Sequence, residues 1–372
     1  MKLSIKREPL EKILKNLSEA IPVQTPEVNL KNFLFTVTDT TLTILSSDGM
    51  LSMETVIELN KPDSIVINSI PGTIQIPASI LVDAIKKLKT EIITLDLVDE
   101  TILYLTDENT NFKLKVVAAN EYPSIDMDTS SKEPIQIKMS DFCDLYNATY
   151  FATATKGSKE LFCGINIAAK NDKLTFVATD SYRLARKYIP LPGNYLFSIT
   201  VPSKALSVVS HISNFDTISM YIENNKVLFK VGIYTISSKL YAGEFPNIDR
   251  IIPTNIAYKL TVNSKEFIDA IETILVINNF KVKVSCETNG KVEISTNNVT
   301  TGYSNTFVKN AKYEGNDNFV IIFNSAYVIE AIKALNQENV TLEFVSDSRA
   351  FLVSGDDQTI TQVVTPIRTL SD

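Results

Sequence analysis

Tryptophan is absent from the 372 residues, histidine occurs once, cysteine three times and glycine only 11 times. Each scarcity closes a class of chemistry. With so few glycines, no phosphate-cradling loop of the P-loop or dinucleotide type can be assembled. His211, beside Ser210 in an amphipathic stretch, excludes a multi-histidine metal centre and reads as an ordinary helix histidine. Cys143, Cys163 and Cys286 lie far apart, each within or beside apolar sequence, and are expected as small buried hydrophobes. No apolar run approaches the roughly 18–20 residues that span a bilayer. The first ten residues, MKLSIKREPL, carry charge where a signal peptide is apolar, so a cytoplasmic chain with no membrane partner is expected. Excess positive charge is missing too. Lys and Arg number 36 against 43 Asp and Glu, a net charge of −7, which argues against holding nucleic acid by phosphate contacts alone.

A paired carboxylate site is equally hard to find. Asp96, Asp99 and Glu100 fall at a strand-to-turn boundary, and Asp126 and Asp128 in a polar connection, with no partner constellation around them. No catalytic residue, metal or cofactor is assigned.

What the chain does have is internal repetition. Hairpin-like segments recur at 41–57 (TLTILSSDGMLSMETVI), 173–189 (KLTFVATDSYRLARKYI) and 291–307 (KVEISTNNVTTGYSNTF). Helix-like segments recur at 76–88 (IPASILVDAIKKL), 201–212 (VPSKALSVVSHI) and 323–335 (FNSAYVIEAIKAL). One copy of each falls in every third of the chain, a period of repeated domains and not of a solenoid. Another helix opens each third. Leu10, Ile13, Leu14, Leu17, Ala20 and Ile21 form one helical stripe with Pro9 in the first turn, and a second stripe follows Ser140. In the last third Ser264 is placed as the cap before Phe267, Ala270, Ile271 and Ile274; Ser79, Ser203 and Ser325 stand at or near the start of the other three helices. Alternating Val-, Ile-, Thr- and aromatic-rich segments fill the rest, broken by turns such as Asp48-Gly49, Asn224-Asn225 and Asn289-Gly290. Each half-unit reads as one helix plus about four strands. The fold class is α+β, two helices per domain packed on antiparallel sheet, with proline-bounded junctions placing domains at 1–122, 123–245 and 246–372.

Comparing the copies separates fold from function. A Ser/Thr-Asp/Asn turn aligns as Ser47-Asp48-Gly49, Thr179-Asp180-Ser181 and Thr296-Asn297-Asn298, so it is turn chemistry. Only the middle copy continues Tyr182-Arg183-Leu184.

The stretch ATDSYRLA at 178–185, then GEFP at 243–246 and VVTPIR at 363–368, on a triplicated domain, resembles the bacterial DNA polymerase III beta sliding clamp family over the whole chain. The resemblance implies three DNA-clamp domains that close into a ring as a head-to-tail homodimer, a non-catalytic processivity factor encircling double-stranded DNA without sequence preference. It also implies a hydrophobic cleft for short peptides from the DNA polymerase III alpha subunit, the clamp loader and other proteins with clamp-binding motifs. Carried over by motif, the cleft comprises Phe162, Thr179, Ser181, Tyr182, Arg183, Leu184, Pro246, Arg250, Ile251, Val363, Thr365, Pro366, Ile367 and Arg368. Family members commonly have His or Gly where Ser181 and Tyr182 stand, and a large aliphatic residue near Thr365, which points to a shallower or more polar subsite. Core packing is the alternative role for Leu184, Ile251 and Val363, and a surface ion pair for Arg183 and Arg368.

For DNA the candidates are Arg7, Lys12, Lys15, Lys86, Lys87, Lys204, Lys265 and Lys333, on helices that are not net basic and that read equally as solvated faces. By position, Phe112 and Leu114 of one protomer meet Ile274 and Leu275 of its partner at the ring interface. Two other classes also fit a triplicated chain: a repeat-built hydrolase or nuclease using scattered aspartates, and a monomeric assembly scaffold.

Overall fold

The computed structural model describes residues 1–130, 133–155, 159–212, 214–277 and 280–368. Six α-helices occur among them: α1 (Arg7–Leu17), α2 (Ala78–Lys87), α3 (Met139–Asn147), α4 (Ser203–His211), α5 (Ser264–Ile274) and α6 (Ser325–Leu335). The apolar stripes are the buried faces: Leu10, Ile13, Leu14 and Leu17 of α1, and Val328, Ala331, Ile332 and Leu335 of α6. Each short amphipathic helix is held by that face and not by intrinsic propensity.

Several predicted boundaries move. The two residues that open each predicted second helix, such as Ile76-Pro77 and Phe323-Asn324, instead close a strand. Ser264 is not the cap of α5 either, while Ser79, Ser203 and Ser325 do fall in the first two residues of their helices. Asn263 caps α5 by accepting from the Glu266 amide, and Asn324 caps α6 by accepting from the Ala326 amide. Ser264 is the first helical residue of α5, and its hydroxyl donates to the Gln337 carbonyl. Of the three cysteines only Cys286 is buried, and burial pushes its thiol up to about 12; Cys143 and Cys163 are half-buried.

The chain forms two compact units, residues 1–140 with 204–240, and residues 141–203 with 241 onward. In the first unit, a nine-stranded antiparallel sheet runs in the order Val117–Ala118, Gly72–Pro77, Asn32–Val37, Thr41–Ser47, Leu51–Glu58, Tyr234–Lys239, Lys226–Val231, Thr217–Ile222, Ile135–Lys138. A five-stranded sheet runs Val66–Ile70, Lys2–Lys6, Ile92–Val98, Ile102–Thr106, Asn111–Lys115. The second unit repeats the plan. Its nine-stranded sheet runs Phe197–Pro202, Gly164–Lys170, Lys173–Thr179, Arg183–Pro190, Ile360–Val364, Phe351–Ser354, Asn339–Phe344, Tyr258–Asn263, Lys312–Glu314. Its four-stranded sheet runs Gly302–Phe307, Val292–Asn298, Lys281–Cys286, Phe319–Asn324.

Each nine-stranded sheet contains a seam where sequence-distant repeats pair. Leu51–Glu58 meets Tyr234–Lys239, with Met53 opposite Ile236, and Arg183–Pro190 meets Ile360–Val364, with Leu184 opposite Val363. This pairing explains why the middle third is shared between the two units. Within the first third, the strand leading into α1 (Lys2–Lys6) pairs with Ile92–Val98, while the strand leading into α2 (Gly72–Pro77) pairs with Asn32–Val37. The half-units thus exchange their leading strands.

Candidate functional site

The middle hairpin turn is built by its own side chains. Asp180 Oδ1 accepts from the amides of Tyr182 and Arg183 at 2.9 Å each, and the Thr179 hydroxyl accepts from the Ser181 amide and donates to the Arg183 carbonyl. Asp48 does the same in the first copy, accepting from Met50 and Leu51. In the third copy the acceptor is Asn298, which binds the amides of Thr300 and Thr301, so the repeat aligns one residue later than the sequence comparison placed it. Ser181 adopts φ +80°, where the first copy has Gly49 at φ +87°. That backbone region is disfavoured for a residue with a Cβ.

Below this turn the strand Arg183–Pro190 separates its side chains by alternation. Leu184, 3% exposed, joins Val177, Ile248 and Val363 (2% exposed) in a small apolar cluster, with Phe245, Ile252, Ala350 and Leu352 packed against it. Leu184 and Val363 are therefore packed core residues. The junction segment around Phe245–Ile252 covers them. Phe162 meets Phe245 edge-on at 6.3 Å between ring centroids, and Arg186 ties the cover down through Asp249 at 3.1 Å.

The tail is pinned across this surface. Both the amide and the hydroxyl of Thr365 donate to the Tyr182 carbonyl, at 2.9 and 2.8 Å, Pro366 bridges Phe323, and the Ile367 amide donates to the Ile322 carbonyl. The Thr365 hydroxyl is thus engaged by backbone. Beside the tail lies a groove of ≈ 440 Å³ lined by Arg250, Ile251, Ile252, Pro253, Val345, Arg349, Ala350, Thr365, Pro366 and Arg368, among others. Ile251 is 48% exposed, so core packing does not account for it. Pro246 is exposed as well.

Arg183 has more contacts than a rim residue needs. It pairs with Asp180 at 3.0 Å and with Glu330, and its guanidinium lies 4.5 Å from the Tyr327 ring centroid. Tyr182, 61% exposed, stacks on the same Tyr327. Sequence reasoning missed Tyr327, Val345 and Arg349. The copy comparison could have found Tyr327, because the matching positions in the other second helices are Ile80 and Ala205. Val345 and Arg349 sit in a turn with no counterpart motif.

The helix cations divide into committed and open groups. Arg7 is held by Glu8 and Glu11, Lys204 by Asp48 at 2.7 Å, Lys86 by Asp83 and Lys333 by Glu272. Lys12, Lys15, Lys87 and Lys265 are exposed and make no ion pair among the described residues. At the postulated ring interface, Phe112 is half-buried and Leu114 buried on the edge strand Asn111–Lys115. Ile274 has no exposed surface and belongs to the core of the last third, with half-buried Leu275 packed against that core. Ile274 therefore offers no surface for a direct contact and packs as a core residue. Exposed apolar groups near Ile274 in sequence or on the edge strand Gly302–Phe307 include Val276 (87%), Tyr303 and Phe307.

Comparison with known proteins covers nearly the full chain. Residues 1–126, 136–247 and 249–368 match the models of the N-terminal, central and C-terminal domains of the DNA polymerase III beta subunit. The beta sliding clamp of Streptococcus pneumoniae serotype 4 is 28% identical over 343 residues, 90% of each chain, and that of Bacillus subtilis 26% identical over 99% of this chain and all of its own. The crystal structure of the Bacillus subtilis DNA polymerase sliding clamp superposes with TM-score 0.93 at 26% identity over 99% of both chains. That of the Streptococcus pneumoniae DNA polymerase III beta chain gives 0.94 at 26% identity, over 99% of this chain and 100% of its own. With all three domain models matched in order along its length, the chain belongs to the bacterial DNA polymerase III beta sliding clamp family.

Proposed function

We propose that this DNA sliding clamp, a non-catalytic processivity subunit of replication, works as a head-to-tail homodimeric ring. One observation carries the reading. At both seams the second strand of a repeat hairpin (Leu51–Glu58 or Arg183–Pro190) pairs with the last strand of the following domain's second half (Tyr234–Lys239 or Ile360–Val364). Two strands in corresponding positions pair on one side only among the described residues: Gly302–Phe307, the second hairpin strand of the last third, and Asn111–Lys115, the last strand of the five-stranded sheet in the first third. Each lies at the edge of its sheet. Pairing one with the other in a second copy repeats the seam a third time, and a heterologous contact of this kind closes when rotation permits.

A closed ring also resolves the charge. Net −7 disfavours adhesion to phosphate, and encirclement does not need it. We assign the open cations Lys12, Lys15, Lys87 and Lys265 to the DNA-facing side, and the domain limits to 1–122, 123–245 and 246–372. The cleft built from Leu184, Val363, Ile251 and the tail takes short peptides from the DNA polymerase III alpha subunit, the clamp loader and other partners, through apolar anchors in a partly preformed groove.

The test is retention after loading by a clamp loader. Nicked circular DNA is expected to keep the protein while the same DNA, linearised, loses it within the assay. Equal loss from both forms overturns encirclement.

A further inference from the structure

We infer that the cleft selects peptides that carry carboxylates next to their apolar anchors, an inference that rests on the peptide-binding reading above. The groove beside the tail is lined by Arg250, Arg349 and Arg368, and no Asp or Glu lines it. In a chain with net charge −7, three guanidinium groups on one small groove without a single acid is a marked local reversal. All three are exposed, and none makes an ion pair among the described residues. Neighbouring arginines behave differently: Arg183 is neutralised by Asp180 and Glu330, and Arg186 by Asp249. The fold thus satisfies the cations that structure the sheet and leaves unsatisfied those around the groove. Arginine forks match carboxylates in a bidentate way, and here they stand beside Ile251 and Pro366, which offer apolar contact to an anchor. The complementary ligand is an extended acidic peptide whose aliphatic or aromatic side chains enter the groove while flanking Asp or Glu residues meet the arginines.

The experiment uses the full-length protein and three fluorescein-labelled synthetic peptides with identical leucine and phenylalanine anchors, flanked by Glu-Glu, Ser-Ser or Lys-Lys. In fluorescence anisotropy at low salt, the Glu-flanked peptide is expected to bind about 10-fold tighter than the Ser-flanked one, and the Lys-flanked one weakest; exposed pairs are weak singly and add here. The advantage should shrink as salt shortens the screening length. Arg349→Glu should abolish or invert the order, with unchanged thermal melting as the folding control. Equal affinity of Glu- and Ser-flanked peptides overturns the acidic preference while leaving the cleft intact. If none of the three binds, or if Ile251→Ala leaves binding undiminished, the peptide-cleft reading fails and this one with it.

Discussion

Ser181 stands at φ +80° in a turn otherwise satisfied by Asp180 and Thr179. A Cβ in the left-handed region costs on the order of 1 kcal/mol, which glycine avoids. Ser181→Gly is therefore expected to stabilise the protein by about 1 kcal/mol, read as a shift of the urea midpoint at constant slope. A second residue-scale prediction concerns Lys187, only 5% exposed, which binds Asp144 at 2.5 Å and Asp357 at 3.3 Å. Burial alone would raise the Asp357 carboxyl, but the Thr359 hydroxyl and amide, together with the Lys187 ammonium, outweigh it and hold the group below its usual value of 3.8. A depressed carboxylate contributes stability that is complete above the unfolded value and is lost as pH falls through the folded one. Asp357→Asn should cost about 1 kcal/mol at neutral pH, a deficit that disappears in acid titrations below the folded value. A constant deficit at all pH values would refute the ionic origin. At this scale the sequence was only partly legible. Copy comparison singled out Tyr182 and Arg183, but that Leu184 is packed away while Ile251 stays open depends on which face the junction segment covers, and no local pattern encodes that.

Among the elements, the helices were the most readable, because a stripe of period 3.6 needs only its own residues to be recognised. The strands were readable as segments and not as partners. Period-two alternation says that Leu51–Glu58 and Tyr234–Lys239 each have a buried face, yet nothing in either marks the other as its neighbour across a seam. The exchange of Lys2–Lys6 and Gly72–Pro77 between half-units escaped for the same reason. The edge strands give the element-scale prediction. Replacing Tyr303 and Phe307, both exposed on Gly302–Phe307, by Lys places charge on the edge proposed above to pair. Sedimentation should then report monomer where the proposed ring predicts a dimer for the parent protein, with thermal stability of the monomer retained. Ile274→Ala differs in kind: from a fully buried site it should cost about 2–5 kcal/mol of folding stability. If the Lys pair leaves the dimer unaltered, the proposed third seam is wrong.

For the whole molecule, the question is what resists loss from DNA. A protein gripping six to ten phosphates loses roughly 10³–10⁵ in affinity between about 50 and 200 mM salt. A closed ring of net charge −7 per chain should show less than about a 10-fold change in residence on circular DNA over that range. A steep salt slope on circles would mean adhesion. Triplication itself was legible from the aligned hairpins and helices, since repetition on this scale survives divergence of individual residues. The ring is expected from resemblance alone, because no local pattern in a sequence marks which edge strand would pair with a second copy.

The exchanged leading strand has a further consequence for how the chain is made. Lys2–Lys6 is synthesised before both of its partners, Val66–Ile70 and Ile92–Val98. During synthesis that strand must wait, unpaired and bearing Leu3 and Ile5, until Ile92–Val98 has emerged; only then can the five-stranded sheet condense.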